Sequence, residues 1–128
     1  KDDTRFLVRG TIDWPKVEQD MASENSFPAR VFRQVKSMLK ARNGFPVFGK
    51  GDISWIDLNL KNGSKAPEVM AYRRSDGTRS ALVVQNLSGR ELELLWNYPA
   101  SKLLAGPVPV VKENTILLKP YAYHWFSL

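Results

Sequence analysis

The sequence contains no cysteine and a single histidine, His124. The first absence excludes disulfides, thiolate metal sites and cysteine nucleophiles together. The second excludes any metal site or facial triad built on several imidazoles. No apolar run approaches the ~20 residues needed to span a bilayer, so no membrane partner is expected. The opening Lys1-Asp2-Asp3-Thr4-Arg5 has no adjacent apolar h-region of the kind a signal peptide carries. The net charge is +6, yet Lys36, Lys40, Arg42, Lys61, Lys65, Arg73, Arg74 and Arg79 are scattered and no run of five or more occurs. A solvated surface is therefore expected rather than a nucleic-acid footprint. Phosphate-loop, dinucleotide, nucleophile-elbow and zinc-protease signatures are also missing. No cofactor and no metal are expected, and a cysteine-free chain is compatible with the cytoplasm.

What is present is the balance of an ordinary globular domain, with 43% hydrophobic and 25% charged residues over 128 positions. That length suffices for one core that buries roughly two-thirds of the unfolded surface. The first third reads as helical. Asp13 suits the N-cap of a short helix from Trp14 to about Met21, with Pro15 in its first turn. Ser26 suits a second N-cap, and Phe27, Val31, Val35, Met38 and Leu39 recur at helical spacing, which predicts a helix over Phe27 to Arg42 with one apolar stripe. Asn43-Gly44 and then Pro46 end it.

From Gly49 onward the period changes to that of strands. Candidates are Asp52–Leu60, Glu68–Arg74, Thr78–Leu87, Glu91–Asn97, Lys102–Leu104, Thr115–Leu118 and Tyr121–Leu128. Ser75-Asp76-Gly77 is a strong hairpin signal. Short strands with regular turn signals and no intervening helices predict a mainly β protein, an antiparallel Greek-key β-sandwich preceded by one or two α-helices.

Candidate chemistry is sparse. Glycoside cleavage needs a pair of carboxyls about 5–5.5 Å apart in retaining enzymes. Asp52, Asp57, Glu68, Asp76, Glu91 and Glu93 fall on predicted strand faces or in turns, with no apolar pocket to raise one pKa. His124 is expected on a strand, tucked at the sandwich surface or hydrogen-bonded to backbone. Sugar rings stack on exposed aromatics, so Trp55, Trp96, Tyr123 and Trp125 are candidates if exposed. Tyr98 and Tyr121 belong to the same aromatic set. Tyr121, Tyr123 and Trp125 share one face of the last predicted strand, which makes most of that face core.

Three sets of residues carry a resemblance. One is Asp3-Thr4-Arg5-Phe6, Arg9-Gly10-Thr11-Ile12-Asp13-Trp14 and Ser26-Phe27-Pro28-Ala29-Arg30-Val31-Phe32. The next is Met38-Leu39-Lys40-Ala41-Arg42-Asn43-Gly44-Phe45-Pro46-Val47-Phe48. The last is Val69–Arg74, Leu82–Ser88 and Pro120–Leu128. In this order they resemble the end of the catalytic barrel and the C-terminal β-domain of the α-amylase family, closest to amylosucrase-type or trehalose-synthase-type enzymes. The resemblance implies that residues 1–48 are the last loop and helix of a (β/α)8 barrel and residues 49–128 a C-terminal β-sandwich. It implies a parent enzyme that hydrolyses or transfers α-glucosyl units, with sucrose or an α-glucan as substrate. The catalytic carboxylates would lie in the missing N-terminal barrel of the same polypeptide, so the chain is not an enzyme on its own. Arg5 and Arg9 would lie in the eighth strand-to-helix loop, near substrate. Two alternatives stand beside this one: an independent carbohydrate-binding module, which requires coplanar exposed aromatics, and a small enzyme, which requires a cleft with convergent carboxylates.

Overall fold

The computed structural model describes residues 10–98 and 102–128. The chain divides into two compact units, residues 1–37 and 38–128. The first holds α1 (Trp14–Ala22) and the start of α2 (Phe27–Gly44). Both helices begin where capping chemistry places them. The Asp13 carboxylate accepts from the Lys16 N–H at 3.1 Å, and the Ser26 hydroxyl accepts from the Ala29 N–H at 3.2 Å. Each cap thereby satisfies one of the amides a first helical turn leaves unpaired. The Arg33 guanidinium donates to the Glu24 carbonyl, tying the turn between the helices to α2.

The second unit is a β-sandwich preceded by one short helix, α3 (Val47–Lys50). Its strands are β1 (Asp52–Trp55), β2 (Val69–Ser75), β3 (Ser80–Asn86), β4 (Leu92–Leu95), β5 (Lys102–Ala105), β6 (Val110–Lys112), β7 (Thr115–Leu118) and β8 (Tyr123–Ser127). One sheet has the order β1-β2-β3-β8-β5, the other β4-β7-β6, and every pairing is antiparallel. The predicted strand over 52–60 is a strand only over Asp52–Trp55 and a crossing beyond it. After Trp55 the chain leaves the first sheet and reaches the second, where Leu60 bridges Leu94 and the Leu95 N–H donates to the Asn59 carbonyl at 2.9 Å.

Two apolar layers hold this unit. Leu82, Val84 and Phe126 of the larger sheet interdigitate with Leu92, Leu94, Trp96, Ile116 and Leu118 from the smaller sheet and the residue after β4. On the opposite face, Val47 and Phe48 of α3 cover Ala81 and Val83, flanked by Phe45, Tyr72, Leu104 and Trp125. Strand β3 is therefore buried on both faces, and this explains its unbroken apolar run Ala81-Leu82-Val83-Val84.

The second layer reverses the expectation for the last strand. Phe126 and His124 point into the sandwich, whereas Tyr123 and Trp125 point outward on the side of α3. Tyr121 is not in the strand at all. It follows Pro120 in a turn closed by Ala122 N–H donating to the Lys119 carbonyl at 3.0 Å, with φ 55°. That backbone is one an aromatic residue seldom takes. Strand β6 lies outside the predicted set: it is three residues long, follows Pro107 and Pro109, and is exposed along its length.

Candidate functional site

Of the residues expected near a sugar, Arg5 and Arg9 lie outside the described residues. The four aromatics are not brought together. Trp96 is only 5% exposed and packs on Phe126 at 5.4 Å and Tyr98 at 4.9 Å between ring centres, so it offers no face to a ligand. Trp55 is 68% exposed on the edge strand β1, but it meets Tyr72 edge-to-face, with planes crossing at 71°. Tyr123 and Trp125 also meet edge-to-face, at 65°, and Trp125 is half covered by Phe48. Neither pair makes the flat platform that ring stacking needs. Burial wins at Trp96 because its strand alternation continues that of Leu92 and Leu94, both core residues.

The carboxylates are dispersed. Asp76 caps the β2–β3 hairpin, accepting from the Arg79 N–H at 2.8 Å, the Thr78 hydroxyl at 2.9 Å and the Thr78 N–H at 3.1 Å. These bonds, led by that from the Arg79 amide, lower its pKa to about 2. Glu93 accepts from Lys61 Nζ and from the Thr115 hydroxyl, each at 3.0 Å, and its pKa is lowered chiefly by the lysine. Glu68 pairs with Arg90. A general acid at neutral pH needs a carboxyl pushed upward; Asp76 and Glu93 are pushed downward. Among the described residues, no three histidine, aspartate or glutamate side chains gather as a metal site would require.

His124 is 2% exposed. Its Nδ1 lies 3.0 Å from the Pro107 carbonyl oxygen, which can only accept, so Nδ1 carries the proton and Nε2 is the bare lone pair. Nε2 is buried and has no partner among the described residues. The ring borders a hollow of about 100 Å³ walled by Pro107, Val108, Val110, Leu117, Lys119 and Ala122. Burial lowers the pKa of His124, opposed by the bond to Pro107. A neutral imidazole in such a wall is built for packing, and among the described residues no hydroxyl side chain lines the hollow beside it.

Two adjoining polar hollows lie where the chain crosses between sheets. A hollow of about 360 Å³ is lined by Asp57, Leu58, Asn59, Leu95, Asn97 and Tyr98. A second, of about 300 Å³, shares Asp57 and Leu58 and is completed by Ile56, Lys65, Ala66, Pro67 and Val69. In the sequence Tyr98 is one of many aromatics, Asp57 reads as a solvated strand residue, and Asn59 and Asn97 carry no signal, because only the crossing from β1 to β4 brings 57–59 beside 95–98.

The helices present a different surface. Trp14 is 62% exposed, Phe27 71% and Phe32 51%. At roughly 200 Å² per aromatic side chain these three expose about 370 Å². Val17, Val31, Val35 and Leu39 are exposed as well. In α1 no residue is buried, and in α2 only Ala29. No helix of the described residues is long and apolar enough to cross a membrane.

No family model and no curated protein matches the sequence. Solved structures do match over nearly the whole chain. An α-amylase from H. orenii aligns over 87% of this chain with 24% identity and a TM-score of 0.63, using 22% of its own length. Trehalose-6-phosphate hydrolase from Bacillus licheniformis aligns over 86% with 21% identity and a TM-score of 0.63, using 20% of its length. A trehalulose synthase variant aligns over 87% with 17% identity and a TM-score of 0.65, using 19% of its length. The fold, helices followed by a β-sandwich, is thus one that these larger enzymes contain. The chain spans about a fifth of the length of the structures it matches.

Proposed function

We propose that the chain is the C-terminal region of an α-amylase-family enzyme that hydrolyses or transfers α-glucosyl units, and that it contributes stability rather than catalytic groups. The observation that carries this reading is the likeness of 86–87% of the chain to about a fifth of enzymes named for α-glucosides. On this reading residues 1–48 complete a (β/α)8 barrel and residues 49–128 form the domain that packs on it. Two physical features support it. The apolar stripes of α1 and α2 expose several aromatic side chains to water, which an element built to be covered explains. The titrations of Asp76 and Glu93 run opposite to those of a catalytic acid.

The test is release of glucose from sucrose, maltose and soluble starch by the 128-residue chain. No turnover is expected. Turnover abolished by removal of any carboxyl of this chain would overturn the proposal. A companion measurement is binding of a hydrophobic dye. Phe27→Ser with Phe32→Ser is expected to weaken dye binding severalfold, and unchanged binding would show that the helix face is not the exposed apolar surface.

A further inference from the structure

We infer that the β-sandwich carries its own oligosaccharide-binding groove, formed by Asp57, Asn59, Asn97 and Tyr98. The choice of an α-glucan as ligand rests on the proposed function above; the preference for a neutral polyol rests on the groove itself.

The two adjoining hollows, of about 300 and 360 Å³, each fall in the range of small-ligand sites. Their polar groups are one carboxylate, one ammonium (Lys65) and two carboxamides. Asp57 and Lys65 line the same hollow, so their opposite charges offset one another there. Carboxamides both donate and accept, as does each hydroxyl of a sugar, and the Asp57 carboxylate accepts from two hydroxyls at once. Tyr98 supplies an apolar wall. Its ring is half-buried against Trp96, at 4.9 Å between centres, so it is held in place before any ligand arrives. Such aromatic faces suit the C–H side of a pyranose.

The walls are also rigid. The Leu95 N–H donates to the Asn59 carbonyl at 2.9 Å, the Trp96 N–H to the Asn114 carbonyl at 2.6 Å, and the Ile56 N–H to the Ala71 carbonyl at 3.0 Å. Each segment bearing a groove residue is therefore pinned to a strand or hairpin by backbone bonds. A site pre-formed in this way loses little ordering entropy on binding. Asp57, Asn59 and Asn97 are exposed, and among the described residues their side chains have no hydrogen-bond partner.

The experiment is calorimetric titration of the 128-residue chain with maltohexaose, repeated on Asp57→Ala/Asn97→Ala and on the milder Asp57→Asn. Saturable binding is expected, weakened roughly tenfold or more in the double variant, with an unchanged urea midpoint because both side chains are exposed. No binding to the unaltered chain at about 10 mM sugar, or equal binding by the double variant, would overturn the inference. That failure is separable from failure of the parent reading, which is decided by turnover and not by binding.

Discussion

Replacement of Asn86 by alanine is the sharpest test of how the sandwich is closed. Asn86 ends β3 and is 2% exposed. Its Nδ2 donates to the Arg90 carbonyl at 2.6 Å and the Lys119 carbonyl at 3.0 Å, and its Oδ1 accepts from the Ser88 N–H at 2.9 Å and the Ser88 hydroxyl at 2.8 Å. One side chain thus ties the turn after β3 to the turn before β8. Each such bond contributes about 1 kcal/mol net. Water can replace part of the loss at Ser88, Arg90 and Lys119, which lie toward the surface, so Asn86→Ala is expected to cost about 2–4 kcal/mol. Asn86→Asp keeps the shape but turns an oxygen toward two carbonyls. Burial and the missing donor raise the pKa of the new carboxyl, so its stability is present at acid pH and lost as pH rises through that raised value. The assay is urea unfolding followed by tryptophan fluorescence, at pH 4.5 and pH 7. A loss below about 1 kcal/mol for Asn86→Ala, or an Asn86→Asp variant as stable as the parent at pH 7, would refute the reasoning.

Two further outcomes follow from the geometry. Gly106 has φ 105°, and a Cβ there would stand inside contact distance of the Tyr123 carbonyl oxygen, next to the register shift between β5 and β8. Gly106→Ala should therefore destabilise by about 3 kcal/mol or more, measured by urea unfolding; a neutral effect would mean the bulge is not as described. His124, the chain's single histidine, is held neutral by burial. Its folded pKa lies below the unfolded value of about 6.5, so its contribution is present above that pH and lost as pH falls toward the depressed value. The urea midpoint should drop between pH 7 and pH 5, and the drop should vanish in His124→Asn, which retains a donor for the Pro107 carbonyl. A pH-independent midpoint in the parent chain would contradict the assignment.

The sequence by itself determined the elements whose signals are local. Asp13 and Ser26 start helices because their side-chain oxygens reach amides three residues on. Asp76-Gly77 makes a hairpin because Gly77 accepts φ 91° and the Asp76 carboxylate caps the turn. Alternation at Leu92 and Leu94 determined a strand with one buried face, and the spacing of turn signals determined the mainly β class. Tertiary structure decided what lies on each face and what meets across the fold. The sequence favours the face of Tyr123 and Trp125 as core in the last strand; α3 covers that outer side, so that Trp125 packs on Phe48, while His124 and Phe126 are buried on the other. Trp96 is core because it continues the inward alternation of Leu92 and Leu94, whereas Trp55 is exposed because it ends the edge strand β1, whose residues are all exposed. The groove of Asp57, Asn59, Asn97 and Tyr98 joins segments some forty positions apart, through a crossing between sheets that no local period encodes. Local backbone chemistry is legible residue by residue; the pairing of distant surfaces depends on the free energy of the whole packed chain.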